Sequence, residues 1–255
     1  MKKFLLSAAV AATGMLMLSS CIDNGTSTST GVAYGITKLS TDVPGIVVTD
    51  DYATLSGGLP VYASAFQSMA EGKCVAYAYE VDYNSQSSTS YVAVTATQTE
   101  TFDQFPSTPS ITDTKTALTG EYATSSLDLS MYSDSYIFRA GGYVFLTSTH
   151  SGIKADQSNN FDLSYDMSVE PSMVGSNRVY ELYFRAQKTK DGSKAEQTGS
   201  YVNTFSLKNF FKAAAAKEGK DATVFFRINY VTGISGNNLS WAKSSVFASP
   251  ANLDL

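Results

Sequence analysis

One histidine, His150, limits the nucleophilic chemistry open to this 255-residue chain. A Ser–His–Asp or Cys–His device would have to run through it. It stands at the end of a strand-like run, between Ser148 and Ser151, and no G-x-S-x-G elbow occurs anywhere. It reads as a surface histidine at a strand end, and no catalytic residue is assigned. One histidine and one unmodified cysteine cannot supply a His/Cys ligand set, so neither a metal site nor a cofactor is expected. Asp162, Asp166 and Glu170 recur every four residues. On a strand that spacing is about 13 Å, against roughly 5 to 9.5 Å for a glycosidase pair, so they read as a solvated sheet face. Cys74 has only Lys73 beside it to lower its thiol pKa and is expected to fill space between sheets. Trp241 and the tyrosine-rich strands are the stacking surfaces available to a sugar, although aromatic strands usually form core. Arg185 shares a polar, odd-numbered face with Glu181 and Tyr183, opposite Tyr180, Leu182 and Phe184. It is expected to pair with a carboxylate, Asp191 in the following loop being the candidate.

The elements that must position these residues are mostly strands. Tyr (16) and Phe (14) are abundant and charged residues make up only 16%, a mix suited to half-buried strands. In "KCVAYAYEVDY" (73–83), Val75, Tyr77, Tyr79 and Val81 alternate with Cys74, Ala76 and Ala78. With "YVAVTATQT" (91–99) it reads as an antiparallel hairpin. "GIVVTDD" and "LPVYAS" are shorter strands separated by the turn signal Ser56-Gly57-Gly58. "FPSTPSITDTKT" (105–116), with Pro106 and Pro109 and little to bury, reads as the domain boundary. Beyond it come strand signals at 143–151, 161–169, 178–188, 201–207 and 222–231. The run 161–169 has strict period two, with Phe161, Leu163, Tyr165, Met167 and Val169 on one side. Only "KNFFKAAAAKEG" (208–219) reads as a helix, with Gly219 placed to end it.

The N-terminus carries an address. Lys2 and Lys3 precede an apolar run from Phe4 to Leu18. That run is shorter than the ~20 residues that span a bilayer, and it ends in small residues, as a secretory signal does. Leu18-Ser19-Ser20-Cys21 resembles the lipobox of bacterial lipoproteins. The resemblance implies cleavage before Cys21 and lipidation of its thiol, and acyl chains at about 0.8 kcal/mol per buried methylene hold a protein on a membrane. The following "IDNGTSTSTG" has no apolar period and reads as a flexible tether. Removing Lys2 and Lys3 leaves 16 basic against 23 acidic residues, a net charge near −7. A nucleic-acid partner is therefore not expected. With Cys21 carrying lipid, Cys74 is left alone and no disulfide is expected.

Three stretches carry a second resemblance: "EGKCVAYAYEVDY", "TDDYATLSGGLPVYAS" and "VYELYFRAQKTKDGSKAEQTGSYVNTFSL". They resemble the NigD-like lipoproteins of Bacteroidales, in which a small OB-like β-domain precedes a β-sandwich. Arg185 and Asp191 fall on the family's strand-ending Arg and the loop after it, although Ala186-Gln187 stands where many members have His-Asn. The expected fold is all-β: a signal peptide (1–20), a tether (21–33), an OB-like domain (34–105), a linker (106–117) and an antiparallel β-sandwich with one short helix (118–255). The expected function is that of a non-catalytic outer-membrane lipoprotein, facing the cell surface or the periplasm. Its partners would be the membrane, through the lipid, and an unidentified protein or glycan. The resemblance adds an association with bacteriocins. The alternative is a fimbrial accessory or adhesin-type subunit. No arginine precedes Arg139, which argues against a pilin matured by cleavage after an early Arg.

Overall fold

The computed structural model describes residues 27–49, 59–111, 113–129 and 142–251. The expected lipobox, Leu18, Ser19, Ser20 and Cys21, lies outside the described residues. The chain forms two compact units, 1–104 and 105–255.

In the first unit, β1 (Thr28–Leu39), β2 (Val47–Thr49), β3 (Val61–Tyr62), β4 (Cys74–Asp82), β5 (Val92–Ala93) and β6 (Thr95–Thr101) form one curled sheet in the order β5-β3-β2-β1-β4-β6. Its two terminal strands, β5 and β6, are consecutive along the chain. They pair respectively with β3, in parallel, and β4, antiparallel. Running through them as one strand, the circuit is 1-2-3-5-4-1, the order of an OB-type barrel. β1 serves both halves, pairing with β4 along Thr28–Ile36 and with β2 along Thr37–Leu39. Its start lies inside the expected tether: Thr28–Val32 lack an apolar period, yet β4 offers them a complete ladder. Val75, Tyr77 and Val81 enter the barrel core with Ala33, Val61 and Phe66. Cys74 and Ala76, on the other side of β4, are buried as well. There Tyr34, the register partner of Ala76, stacks on Phe102 with ring centroids 6.3 Å apart. Two glutamines complete the ladders with side-chain amides. Gln67 both accepts from Val47 N and donates to Val47 O, and Gln86 does the same with Ala93.

The second unit is a two-sheet sandwich. One sheet contains β7 (Gln104–Pro106), β8 (Ser126–Asp128), β9 (Tyr143–Lys154) and β13 (Glu196–Ser206), ordered β7-β13-β9-β8. The other contains β10 (Ser158–Tyr165), β11 (Ser172–Val174), β12 (Asn177–Lys190), β14 (Thr223–Ser235), β15 (Asn238–Lys243) and β16 (Phe247–Pro250). Its order is β10-β12-β14-β15, with β11 added to β12 and β16 to β14. The pairing of β12 with β14 is parallel, a departure from the antiparallel expectation. It arises because the chain between them visits the opposite sheet as β13 and returns through helix α1 (Lys208–Glu218). Gly219, at φ +102°, ends α1 and donates to Ala215 O. Phe210 and Phe211 of α1 lie edge-on to Phe226. Leu146, Leu163, Phe184 and Phe205 are fully buried between the sheets, each contributing about 1.5–3 kcal/mol by removal from water.

Two expectations change here. β10 stops at Tyr165, because Asp166 turns the chain: its carboxylate accepts from Ser168 N and Ser168 Oγ. Val169 is therefore 55% exposed instead of sharing the core face of Leu163. The stretch 106–117, expected as a linker, belongs to the sandwich. Ser107 bonds Ser206 O, Thr108 exchanges backbone bonds with Leu163 and Tyr165 of β10, and Ala117 N donates to Asn237 O. With little to bury, this strap, which runs on through a turn between Leu118 and Glu121, is held by hydrogen bonds in place of apolar contacts.

Candidate functional site

The strap crosses the solvent face of the β10-β12-β14-β15 sheet. Register places residues on that face in rows. One row runs Asp162 (β10) and Arg185 (β12), with Trp241 on β15. The next runs Ser164, Tyr183, Asn229 and Lys243. The third holds Glu181 and Arg227.

The strap covers the first row. Thr108 Oγ1 donates to Asp162 Oδ1 at 2.7 Å. The Arg185 guanidinium reaches Asp113 O and Thr116 O, each at 2.9 Å, and Trp241 Nε1 donates to Thr114 O at 2.9 Å. Beneath lies a bidentate ion pair, Arg185 Nη2 to Glu121 Oε2 at 2.5 Å and Nε to Oε1 at 2.6 Å. Its side chains are 2% and 0% exposed. Arg185 therefore pairs with a carboxylate, but the partner is Glu121 from the strap and not Asp191. Asp191 is exposed and bonds Lys154 and Lys188. Those two cations, through their hydrogen bonds, hold its carboxyl below the ordinary value. The indole of Trp241 lies 5.9 Å from the Arg185 guanidinium carbon and edge-on to Tyr183 at 5.3 Å. It is thus largely engaged by its own unit.

The other two rows are not crossed by those strap contacts. Glu181 is their centre: Arg227 Nε and Nη2, Ser172 Oγ, Asn229 Nδ2 and Lys243 Nζ all converge on its carboxylate. Burial alone would raise its pKa, but the bonds from Arg227, Ser172 and Asn229 outweigh that and hold it at about 2. Tyr183 lies alongside, its phenol pKa raised by burial first and by the Glu181 charge second. Glu121 and the Arg227–Asn229–Lys243 set were missed from sequence. A charge in mid-strand at Glu181 and again at Arg227 was the available signal, but the parallel pairing that joins them was not legible.

His150 is fully buried, which corrects the surface expectation. The segment 122–125 leaves the outer face and closes one end of the sandwich, Thr124 N bonding Val231 O and Ser125 N bonding Thr149 O. This seals His150 among Tyr122, Phe161 and Tyr201. Burial lowers its pKa to about 4. The neutral ring donates from Nδ1 to Ala123 O at 3.0 Å and accepts at Nε2 from Ser148 Oγ at 2.9 Å. The acidic triplet is also dispersed: Asp162 holds the strap, Asp166 caps a turn and Glu170 pairs with Arg178. Among the described residues no group of three His, Cys, Asp or Glu side chains could hold a metal ion. No helix among them is long and apolar enough to cross a membrane.

No protein-family model and no curated protein matches the chain. Among solved structures it is similar to an uncharacterized protein from Parabacteroides merdae, at 20% identity and TM-score 0.72, over 87% of this chain and 99% of that one. It is also similar to a candidate lipoprotein from Bacteroides fragilis, at 13% identity and TM-score 0.55, over 86% and 97%. A NigD-like immunity protein from Bacteroides caccae matches at 10% identity and TM-score 0.44, over 86% and 94%. The first two likenesses show that this all-β fold, nearly end to end, is shared with proteins of Bacteroidales.

Proposed function

We propose that this chain is a non-catalytic envelope lipoprotein, tethered through Cys21, whose second unit is a binding module. Its contact surface is the pair of rows on the sandwich face that the strap contacts leave uncrossed. The observation that carries this reading is the Glu181 network. Five donor groups from four residues fix one carboxylate and its neighbours on a solvent-facing sheet, with Tyr183 alongside. Side chains held this firmly form a preorganised surface, which lowers the ordering cost of binding. The lipobox supports the tether, and the shared fold supports an envelope setting, through the B. fragilis candidate lipoprotein.

The test is a binding and turnover screen of the mature chain, with Cys21→Ser to keep it soluble, on glycan and peptide arrays. The reading expects retention without consumption of the ligand, lost in Tyr183→Ala. Turnover abolished by a carboxylate variant would overturn the non-catalytic assignment. Retention indifferent to Tyr183 would move the contact surface elsewhere.

A further inference from the structure

Two cations meet one carboxylate on this face. Arg227 Nη2 and Lys243 Nζ lie 2.5 and 3.5 Å from the same oxygen, Glu181 Oε1. Glu181 balances one of them, which leaves a local excess of one positive charge in a chain whose net charge is −5. The remaining charges facing this corner do not cancel the excess. Arg185 in the adjoining row is already neutralised by Glu121, Asn229 and Ser172 are uncharged, and the acidic Asp162 of that row stands on β10, three strands away from Lys243 on β15. Both cations have capacity left. Arg227 uses Nε and Nη2 on Glu181, and no bond from its Nη1 is present among the described residues. The Lys243 side chain is 50% exposed, whereas those of Arg227 and Glu181 are 16% exposed. The corner is thus a largely buried guanidinium with a half-exposed ammonium at its rim, where attraction for an anion is screened less than at an open surface. Tyr183 stands in the same row as Lys243, two residues from Glu181. Its half-buried ring is the apolar neighbour of the charge.

Resting on the reading of this face as a contact surface, we propose that the Arg227–Lys243 corner binds the carboxylate or sulfate of an acidic glycan, whose ring lies against Tyr183. The charge selects an anion, and the aromatic ring beside it favours a sugar over an acidic peptide. Sugar rings present flat C–H faces that pack on aromatic side chains, with a few polar groups fixing orientation.

The experiment measures binding of the mature Cys21→Ser chain to two matched pairs, polygalacturonate with its methyl ester and dextran sulfate with dextran, and to poly-glutamate. The expected result is binding of at least one acidic polysaccharide and of neither neutral partner. That binding weakens with salt and falls about tenfold in Lys243→Gln, the loss of one charge-assisted contact. Lys243 is exposed, so this variant keeps the wild-type melting temperature. Failure to bind either acidic polysaccharide, or preference for poly-glutamate, overturns the inference. Equal binding of neutral partners that is lost in Tyr183→Ala also overturns it while leaving the face as the contact surface. Binding unchanged in both Lys243→Gln and Tyr183→Ala overturns the inference and the face together.

Discussion

Arg185 and Glu121 carry the largest single-residue consequence in the sandwich. Removing one member of a buried, bidentate pair strands the other charge without solvent, at a cost of about 3–5 kcal/mol. Arg185→Met and Glu121→Leu alone should each lower stability by that amount in urea titrations. The double variant should recover much of it, because it leaves no orphan charge. Additive losses would show that the pair is not coupled. His150 makes a different prediction, through pH. Its folded pKa, about 4, lies below the ordinary value of 6.5, so its contribution is fully present above pH 6.5. As pH falls the unfolded chain takes the proton first, and on the order of 3 kcal/mol is lost by pH 4. The chain has one histidine, so a single imidazole signal reports this titration by NMR. A midpoint near 4 is expected, and one near 6.5 would place the ring in water.

At the scale of elements, the strap shows what the sequence could and could not reveal. Period-two runs such as 73–83 and the capped 208–219 helix were legible because burial imposes periodicity and Gly219 ends a helix by its backbone alone. The strap was not legible, because its attachments are carbonyls and amides that leave no hydrophobic trace. Arg185 was recognisable as an arginine needing a carboxylate. Its partner lies 64 residues away in sequence, and only the folded strap brings the two together. The same holds for His150, whose burial depends on the 122–125 segment closing the sandwich end. Gly120 is the strap's most constrained residue. It sits at φ +76°, and an added Cβ would lie 2.5 Å from Lys188 O, while its own carbonyl accepts from Lys188 N. Gly120→Ala should therefore cost about 1–3 kcal/mol and speed amide exchange at Lys188 and Tyr122. Unchanged stability and exchange would show that the strap adapts.

For the whole molecule, the parts serve different purposes. The first unit curls one sheet in the strand order of an OB-type barrel, and the sandwich turns one sheet face to solvent with a fixed array of charged and aromatic groups. A lipid at Cys21 would hold both units at a membrane, where weak contacts to a polymeric ligand gain from confinement and repetition. That role depends first on the anchor. Feeding the native host a clickable palmitate analogue, then capturing the protein from membrane and soluble fractions, tests it directly in wild type and Cys21→Ala. With the anchor at Cys21, labelled wild-type protein is expected in the membrane fraction and no labelled mature protein from Cys21→Ala. Unlabelled wild-type protein in the soluble fraction, or labelling that survives Cys21→Ala, would contradict that anchor.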